Sequence, residues 1–278
     1  MIALEFTLIV LLVSVVGGVL GSILGLGGAV VVTPLLTIFL GIDIHFAIGA
    51  SIVSIIATSS GAAATYVKDK LTNLRVGMFL ELGTTCGAIV GAALAVYANS
   101  TLLKAIFGLV LLISLVPILK KVGEDIPQNP ALEGLARRLS LRGTYAETDG
   151  TLVSYNATRP GAGLLGMVLA GLLSGLLGIG SGAFKVLSMD LAMKLPMKVS
   201  TTTSNFMIGV TAAASAGIYI VRGDVDPFIV APVALGILAG ALVGSRLLPR
   251  TKNPTVRKIF AVVLAATAIE MIAGVFGL

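Results

Sequence analysis

Apolar residues fall along the chain in ten stretches: 6–24, 28–42, 46–67, 76–98, 102–119, 161–179, 182–193, 199–221, 228–248 and 259–277. Several reach the ~20 residues that a bilayer-crossing helix needs, whereas the second and seventh, at roughly 12 to 15 residues, fall short unless the bilayer thins. The alternation that marks β-barrel strands is absent, so the pattern predicts helices. A glycine-rich break precedes each short stretch. Each is therefore expected to start partway into the membrane, with the preceding segment as the other arm of a re-entrant pair. Backbone at that depth must be surrounded by protein or by a water-filled cavity.

The breaks are copies of one another. GLGGAVVVTP, from Gly25 to Pro34, meets GIGSGAFKVL, from Gly178 to Leu187, under a shift of 153 residues. The same shift superimposes Gly18 on Gly171, Ser51 on Ser204, Tyr66 on Tyr219, Gly83 on Gly236, Gly91 on Gly244 and Phe107 on Phe260. Two copies of one unit are predicted, 1–119 and 161–278, joined by a connecting loop at 120–160.

Composition makes the membrane reading firm: 56% of residues are hydrophobic, 12% are charged, and the mean hydropathy is +1.06. A soluble domain carries about a quarter charged residues. The whole is expected to be an all-α integral membrane protein, with 6–24 a retained membrane segment. The net charge of +6 suggests nucleic acid until its placement is considered. All of the 19 Lys and Arg except Lys104, Lys185 and Arg222 sit in the loops after stretches three, five, seven and nine. Placing those loops in the cytoplasm satisfies the positive-inside rule, so the basic charge orients the chain rather than binding nucleic acid. The basic loop at 68–75 corresponds to the acidic loop at 221–228, which places equivalent loops on opposite faces. Inverted repeats of this kind are common in secondary transporters. Within the connecting loop, Leu132, Leu135 and Leu139 suit a surface helix near 131–139, a solvated linker being the alternative. No separate folded domain is expected there.

One cysteine, Cys86, and one histidine, His45, leave no disulfide framework or imidazole-thiolate metal cluster, and no cofactor is implied. Cys86 is read as packing and His45 as a loop residue without a partner. Candidate chemistry lies instead at the breaks. Gly25, Gly27, Gly28, Gly178, Gly180 and Gly182, with Ser181 inside the second run, permit positive φ and bare backbone N–H groups just before a helix begins. Such a site can hold a small oxyanion without a charged side chain. Gly17, Gly18, Gly21, Gly87, Gly91, Gly240 and Gly244 are read as helix packing only. Lys185, in the second short helix, is a charge in apolar surroundings. It is expected to attract the anion or couple a proton, or else to pair with Glu81 or Asp190. Glu81, Glu270 and Asp190 are the proton-coupling candidates. Ser51, Ser204 and Asn205 can donate to oxyanion oxygens, whereas Ser200 and Thr201 suit helix caps. Tyr66 and Tyr219 are expected to anchor helix ends at the interface.

The doubled glycine motif, the hydroxyl-bearing AIGAS (Ala47 to Ser51) and STTTSN (Ser200 to Asn205) after it, and the basic central loop together resemble the TauE/SafE family. These are membrane transporters linked to export of sulfite and organosulfonates. The resemblance covers about 10–119 and 161–277, and implies that Gly25, Gly27, Gly28, Ser51, Gly178, Gly180, Gly182, Thr203 and Ser204 line the pathway. The expected function is export of a small sulfur-containing anion across the cytoplasmic membrane by alternating access, without enzymatic activity. The expected partners are that anion and the bilayer, with self-association left open. A passive anion channel, a transporter of another organic anion and a non-transporting scaffold stay open as alternatives.

Overall fold

The computed structural model describes residues 3–24, 28–119, 132, 134–147, 150–178, 180–251 and 253–276. Helices form where the apolar stretches predict them. The first half runs α1 (Ala3–Leu24), α2 (Ala29–Pro34), a π turn (Leu35–Phe39), α3 (Ile44–Lys68), α4 (Leu74–Ala95) and α5 (Ser100–Leu119). After α6 (Gly134–Arg138) and two strands, β1 (Arg142–Ala146) and β2 (Leu152–Asn156), the second half follows. It runs α7 (Pro160–Leu177), α8 (Gly182–Leu187), a π turn (Ser188–Ala192), α9 (Met197–Arg222), α10 (Pro227–Leu247) and α11 (Asn253–Phe276). Six helices, α1, α3, α4, α7, α9 and α10, are long and apolar enough to cross a bilayer. The chain is an all-α integral membrane protein.

Side chains of the connecting loops set where several of these helices start. Asp43, Asn73 and Asp226 accept from the backbone N–H groups of His45, Val76 and Phe228, capping α3, α4 and α10. The short elements have 6 helical residues followed by 5 in the π turn, in both halves. At 1.5 Å per residue that is about 16 Å, roughly half of a ~30 Å hydrocarbon core. The two π turns fall at equivalent positions. Pro34 precedes the first, but Leu187 stands at the matching place in the second, so proline alone does not cause them.

Packing follows the repeat and crosses it. The first helix of each half lies against the fourth helix of the other, α1 on α10 and α7 on α4. Helix α3 also packs on α10, α9 on α4, α3 on α9, and α5 on α11. Glycines make the two long seams. A Cβ at Gly175 would lie 1.9 Å from the Ala88 carbonyl oxygen, at Gly171 2.1 Å from that of Thr84, and at Gly91 2.0 Å from that of Leu172. The other seam matches: Gly18 faces the Ile237 backbone, and Gly240 the Val15 carbonyl. The reading of Gly18, Gly87, Gly91, Gly240 and Gly244 as packing residues holds. Backbones this close gain dispersion and weak C–H···O contacts that lipid-facing side chains cannot supply.

Three readings of single residues are corrected. Cys86 is exposed and lies in the outward stripe of α4 with Met78, Leu82 and Ile89, a thiol small and apolar enough for the lipid face. His45 lies in the first turn of α3, and its Nδ1 is 2.8 Å from Asp43 Oδ1 and 3.4 Å from the Ser100 hydroxyl. Lys198, placed in a loop by its charge, is fully buried in α9 and reaches Glu147 Oε2 at 3.1 Å.

Glu147 directly follows a β-hairpin strand that the sequence reading lacks. Strands β1 and β2 pair antiparallel, with Arg142 opposite Asn156. Tyr145 and Tyr155 are buried with ring centroids 6.3 Å apart, and Ala136, Leu141 and Ala157 complete a small core. Five-residue strands are too short to show a secure period of two, and their order comes from tertiary anchors. Asn73 Nδ2 donates to the Arg142 carbonyl, and the Thr158 N–H to the Met193 carbonyl. The predicted helix is present as α6, which leaves Leu135 and Leu139 exposed.

Candidate functional site

The second break is built by backbone geometry. Helix α7 ends at Gly178, φ +63, whose N–H donates to the Ser174 carbonyl at 2.8 Å. Gly180, φ +68, and Ser181, φ +45, then turn the chain into α8. A Cβ at 178 would strike Ile48 at 2.2 Å, and one at 180 would meet Ile55 at 3.1 Å, so both conformation and space demand glycine. In the first half Gly28, φ +78, takes the place of Ser181, and its carbonyl accepts from the Val31 and Val32 N–H groups at 3.0 and 2.9 Å. Gly25 and Gly27 lie outside the described residues. Ser181 is an L-residue held in the left-handed region, a strain of order 1 kcal/mol or more that packing around it must sustain.

The helix ends before the breaks are held in a matched way. The last four carbonyls of a helix lack intrahelical donors. Tyr66 Oη donates to the Ser22 carbonyl at 3.0 Å, and Tyr219 Oη to the Gly175 carbonyl at 2.6 Å. Donors and acceptors are both related by the repeat. The two tyrosines are buried, so the expectation of interfacial anchoring is overturned. A phenol in the interior needs an acceptor, and a helix end about to break offers one.

Both breaks converge where α3 crosses α9. Asn205 Nδ2 donates to the Ser22 carbonyl at 2.7 Å, at the end of α1 that leads into the first break. Ile208, one turn further along α9, faces Gly180 of the second. Ser59 of α3 donates to the Asn205 carbonyl at 2.7 Å and fills the space over Gly209, locking the crossing. Ser51 and Thr33 lie 2.7 Å apart, tying α3 to the first short helix. Ser204 Oγ reaches the Gly182 carbonyl at 3.4 Å. Every residue from Ser200 to Asn205 is fully buried, as is Ser181. Helix α9 starts at Met197 after Pro196, which carries Ser200 and Thr201 into the helix interior and corrects their reading as caps. Among the described residues, Ser181 Oγ, Ser200 Oγ, Thr201 Oγ1 and Asn205 Oδ1 are buried without a hydrogen-bond partner. Each such atom costs about 1–3 kcal/mol, so an unmet group is a place where a ligand or water gains most.

Lys185 points elsewhere. It is fully buried, its Nζ donates to Thr211 Oγ1, and it lies 3.9 Å from Glu81 Oε2 on α4. Thr211 Oγ1 in turn donates to Glu81 Oε1 at 2.6 Å, and Thr85 Oγ1 to the same oxygen at 3.2 Å. Of the two carboxylates expected as partners, the structure supplies Glu81. Asp190 is buried within the second π turn, and Glu270 lies half-buried on α11. Thr203 Oγ1 accepts from the Asn73 N–H at 3.1 Å, facing the loop between α3 and α4 rather than the break. Sequence reasoning missed Thr211, Thr33, Ser59 and Asn73. One signal was present: Thr58 and Thr211 coincide under the repeat, a polar position kept in two apolar helices.

The family model described as "Sulfite exporter TauE/SafE" matches residues 10–271. The chain is similar to "Probable membrane transporter protein YunE" of Bacillus subtilis (strain 168), at 28% identity over 97% of this chain and 98% of that protein. It is also similar to "Probable membrane transporter protein YdhB" of the same organism, at 30% identity over 86% of this chain and 89% of that protein. "Probable membrane transporter protein MJ0441" of Methanocaldococcus jannaschii shares 26% identity over 77% of this chain and 72% of its own length. No solved structure matches.

Proposed function

The chain belongs to the TauE/SafE sulfite exporter family, a family of membrane transporters rather than enzymes, and on that premise we propose that it exports a small sulfur oxyanion or organosulfonate across the cytoplasmic membrane. The observation that carries this reading is the set of buried, unpartnered hydroxyls near the meeting of the two breaks, Ser181 Oγ above all with Ser200 Oγ and Thr201 Oγ1, each able to donate to an anion. Neutral donors and helix N–H groups suit a cargo of low charge density, because they bind it without adding a charge that would hold it too tightly. Gly28, Gly178, Gly180 and Gly182 shape the two breaks, and Ser51 and Ser204 brace the short helices from α3 and α9. The membrane potential favours anion exit by about 2.3 kcal/mol per charge per 100 mV.

Full burial of the hydroxyl run supports alternating access over an open channel, since the cargo can enter only after helices move. The interleaved seams support a motion of α1, α3 and α10 as one group against α7, α9 and α4. The inverted orientation of the two halves, read from loop charge, supports a head-to-head arrangement of both short helices near the midplane.

The test is uptake of labelled sulfite by proteoliposomes, with sulfate, thiosulfate and sulfonates as competitors. Ser181→Ala removes a hydroxyl without a hydrogen-bond partner among the described residues, so it is expected to leave thermal stability unchanged while lowering kcat/KM about tenfold, equivalent to ~1.4 kcal/mol. Asn205→Ala is expected to lower both. Unchanged transport in both variants rejects the site. Absent flux of every sulfur anion, with folded protein, rejects the cargo class.

A further inference from the structure

The β-hairpin and the first turn of α4 enclose a cleft of about 510 Å³, lined by Arg75, Arg142, Gly143, Thr144, Ser154, Tyr155 and Asn156. Its two guanidinium groups come from different elements, Arg75 from α4 and Arg142 from the opening of β1. Among the described residues neither takes part in an ion pair, and no carboxylate lines the cleft. Glu147, the nearest acidic residue in sequence to β1, is engaged by Lys198. Burial pushes the Tyr155 hydroxyl up to about 12, partly opposed by its bond from Asn73, so it adds no negative charge at neutral pH. The cleft thus concentrates two positive charges, without an ion-pair partner among the described residues, in a concave surface with hydroxyl and amide groups at its edge, a form that focuses potential on an anion. Guanidinium groups offer paired, planar donors that match the oxygens of a sulfate or phosphate group.

Hydrogen bonds of Asn73 join the cleft's walls to the buried polar run. Asn73 is buried and uses every polar group it has. Its Nδ2 donates to the Arg142 carbonyl at 3.2 Å and to Tyr155 Oη at 3.0 Å, and its Oδ1 accepts from the Val76 N–H at 3.1 Å. Its own N–H donates to Thr203 Oγ1, next in sequence to Ser204, whose Oγ reaches the Gly182 carbonyl. A ligand held between the arginines therefore bears on the same residues that fix the start of α4 and the α9 hydroxyl run.

We propose that this cleft is a second anion site, separate from the buried one, that receives a doubly charged oxyanion of the sulfate or phosphate type on the cytoplasmic face. The cytoplasmic placement rests on the transport reading above; the anion binding does not. The chemistry is shared by a free oxyanion and by the headgroup of an anionic phospholipid, and the experiment separates them.

Sulfate binding is measured by titration calorimetry on purified full-length protein in phosphatidylcholine nanodiscs, for the wild type, Arg75→Gln, Arg142→Gln and Ser181→Ala. The expected result is about a tenfold weaker sulfate affinity in each arginine variant, with binding retained in Ser181→Ala. In a parallel arm, retention of phosphatidic acid by the same proteins is followed by native mass spectrometry. Arginine-dependent retention of the lipid without arginine-dependent sulfate binding would identify the oxyanion as a headgroup and uphold the site. If neither sulfate nor the lipid depends on the two arginines, the proposal is overturned. Because the readout is binding, failure of sulfite transport leaves this result intact, and loss of the cleft leaves transport through the buried site testable.

Discussion

Replacing Glu81 with Leu is expected to destabilise the protein by about 3–5 kcal/mol, and Lys185→Met by a similar amount, while the double variant recovers most of the loss. The ammonium of Lys185 is fully buried, and Glu81 and Thr211 are the groups that hold it. Removing one charge strands the other in the interior, whereas removing both exchanges a desolvated pair for apolar volume. Thermal unfolding in detergent across the four proteins of this cycle measures the coupling. Additive losses, with no recovery in the double variant, would show that the two charges do not stabilise one another. The same four proteins address function. If the double variant is folded yet transports nothing, the pair belongs to the transport cycle; if it transports normally, the pair is structural. Its asymmetry makes the question sharp, since the first half has Val32 where the second has Lys185, and Ala234 matches Glu81.

Gly175→Ala is expected to be the most damaging single methyl among the described glycines. Its Cβ would lie 1.9 Å from the Ala88 carbonyl oxygen, so α4 and α7 must separate along their whole seam. The cost should lie at or above the top of the ~1–3 kcal/mol range of overpacked cores. Gly217→Ala on α9 is the matched control, with no atom within 4 Å of its added Cβ. There the better helix propensity of alanine is expected to stabilise by up to about 1 kcal/mol. Yield of monodisperse protein and the thermal midpoint report both. Equal behaviour of the two variants would mean that the glycine seam does not carry the packing assigned to it.

Much of this architecture was legible in the sequence, and what was not has a physical cause. The shift that aligns Gly25 with Gly178 also aligns Tyr66 with Tyr219 and the two π turns, so the repeat was a sound guide to the backbone. It was a weaker guide to side-chain roles. A tyrosine near a helix end reads as an interfacial anchor, and only the position of the Ser22 and Gly175 carbonyls reveals an interior donor. The partner of Lys185 was narrowed to two carboxylates, but choosing Glu81 required knowing that α4 crosses to the other half. Lys198 and the β-hairpin were missed together. A lysine in a basic loop is usually solvated, and only the hairpin that buries it makes it otherwise.

The exchange of first and fourth helices between halves also says something about assembly. Each half of the sequence carries the glycines of two seams but, in its own length, only one wall of each. A chain of half this length with the same surfaces would complete them only by finding a second copy, at a stability set by its concentration. Joining the halves through residues 120–160 makes that encounter intramolecular, with an effective concentration fixed by the tether. In this sense the protein is a dimer written as one chain, and the covalent link frees each half to diverge. Lys185, the Glu81 that holds it and the β-hairpin are features that a pair of identical chains would have to carry twice.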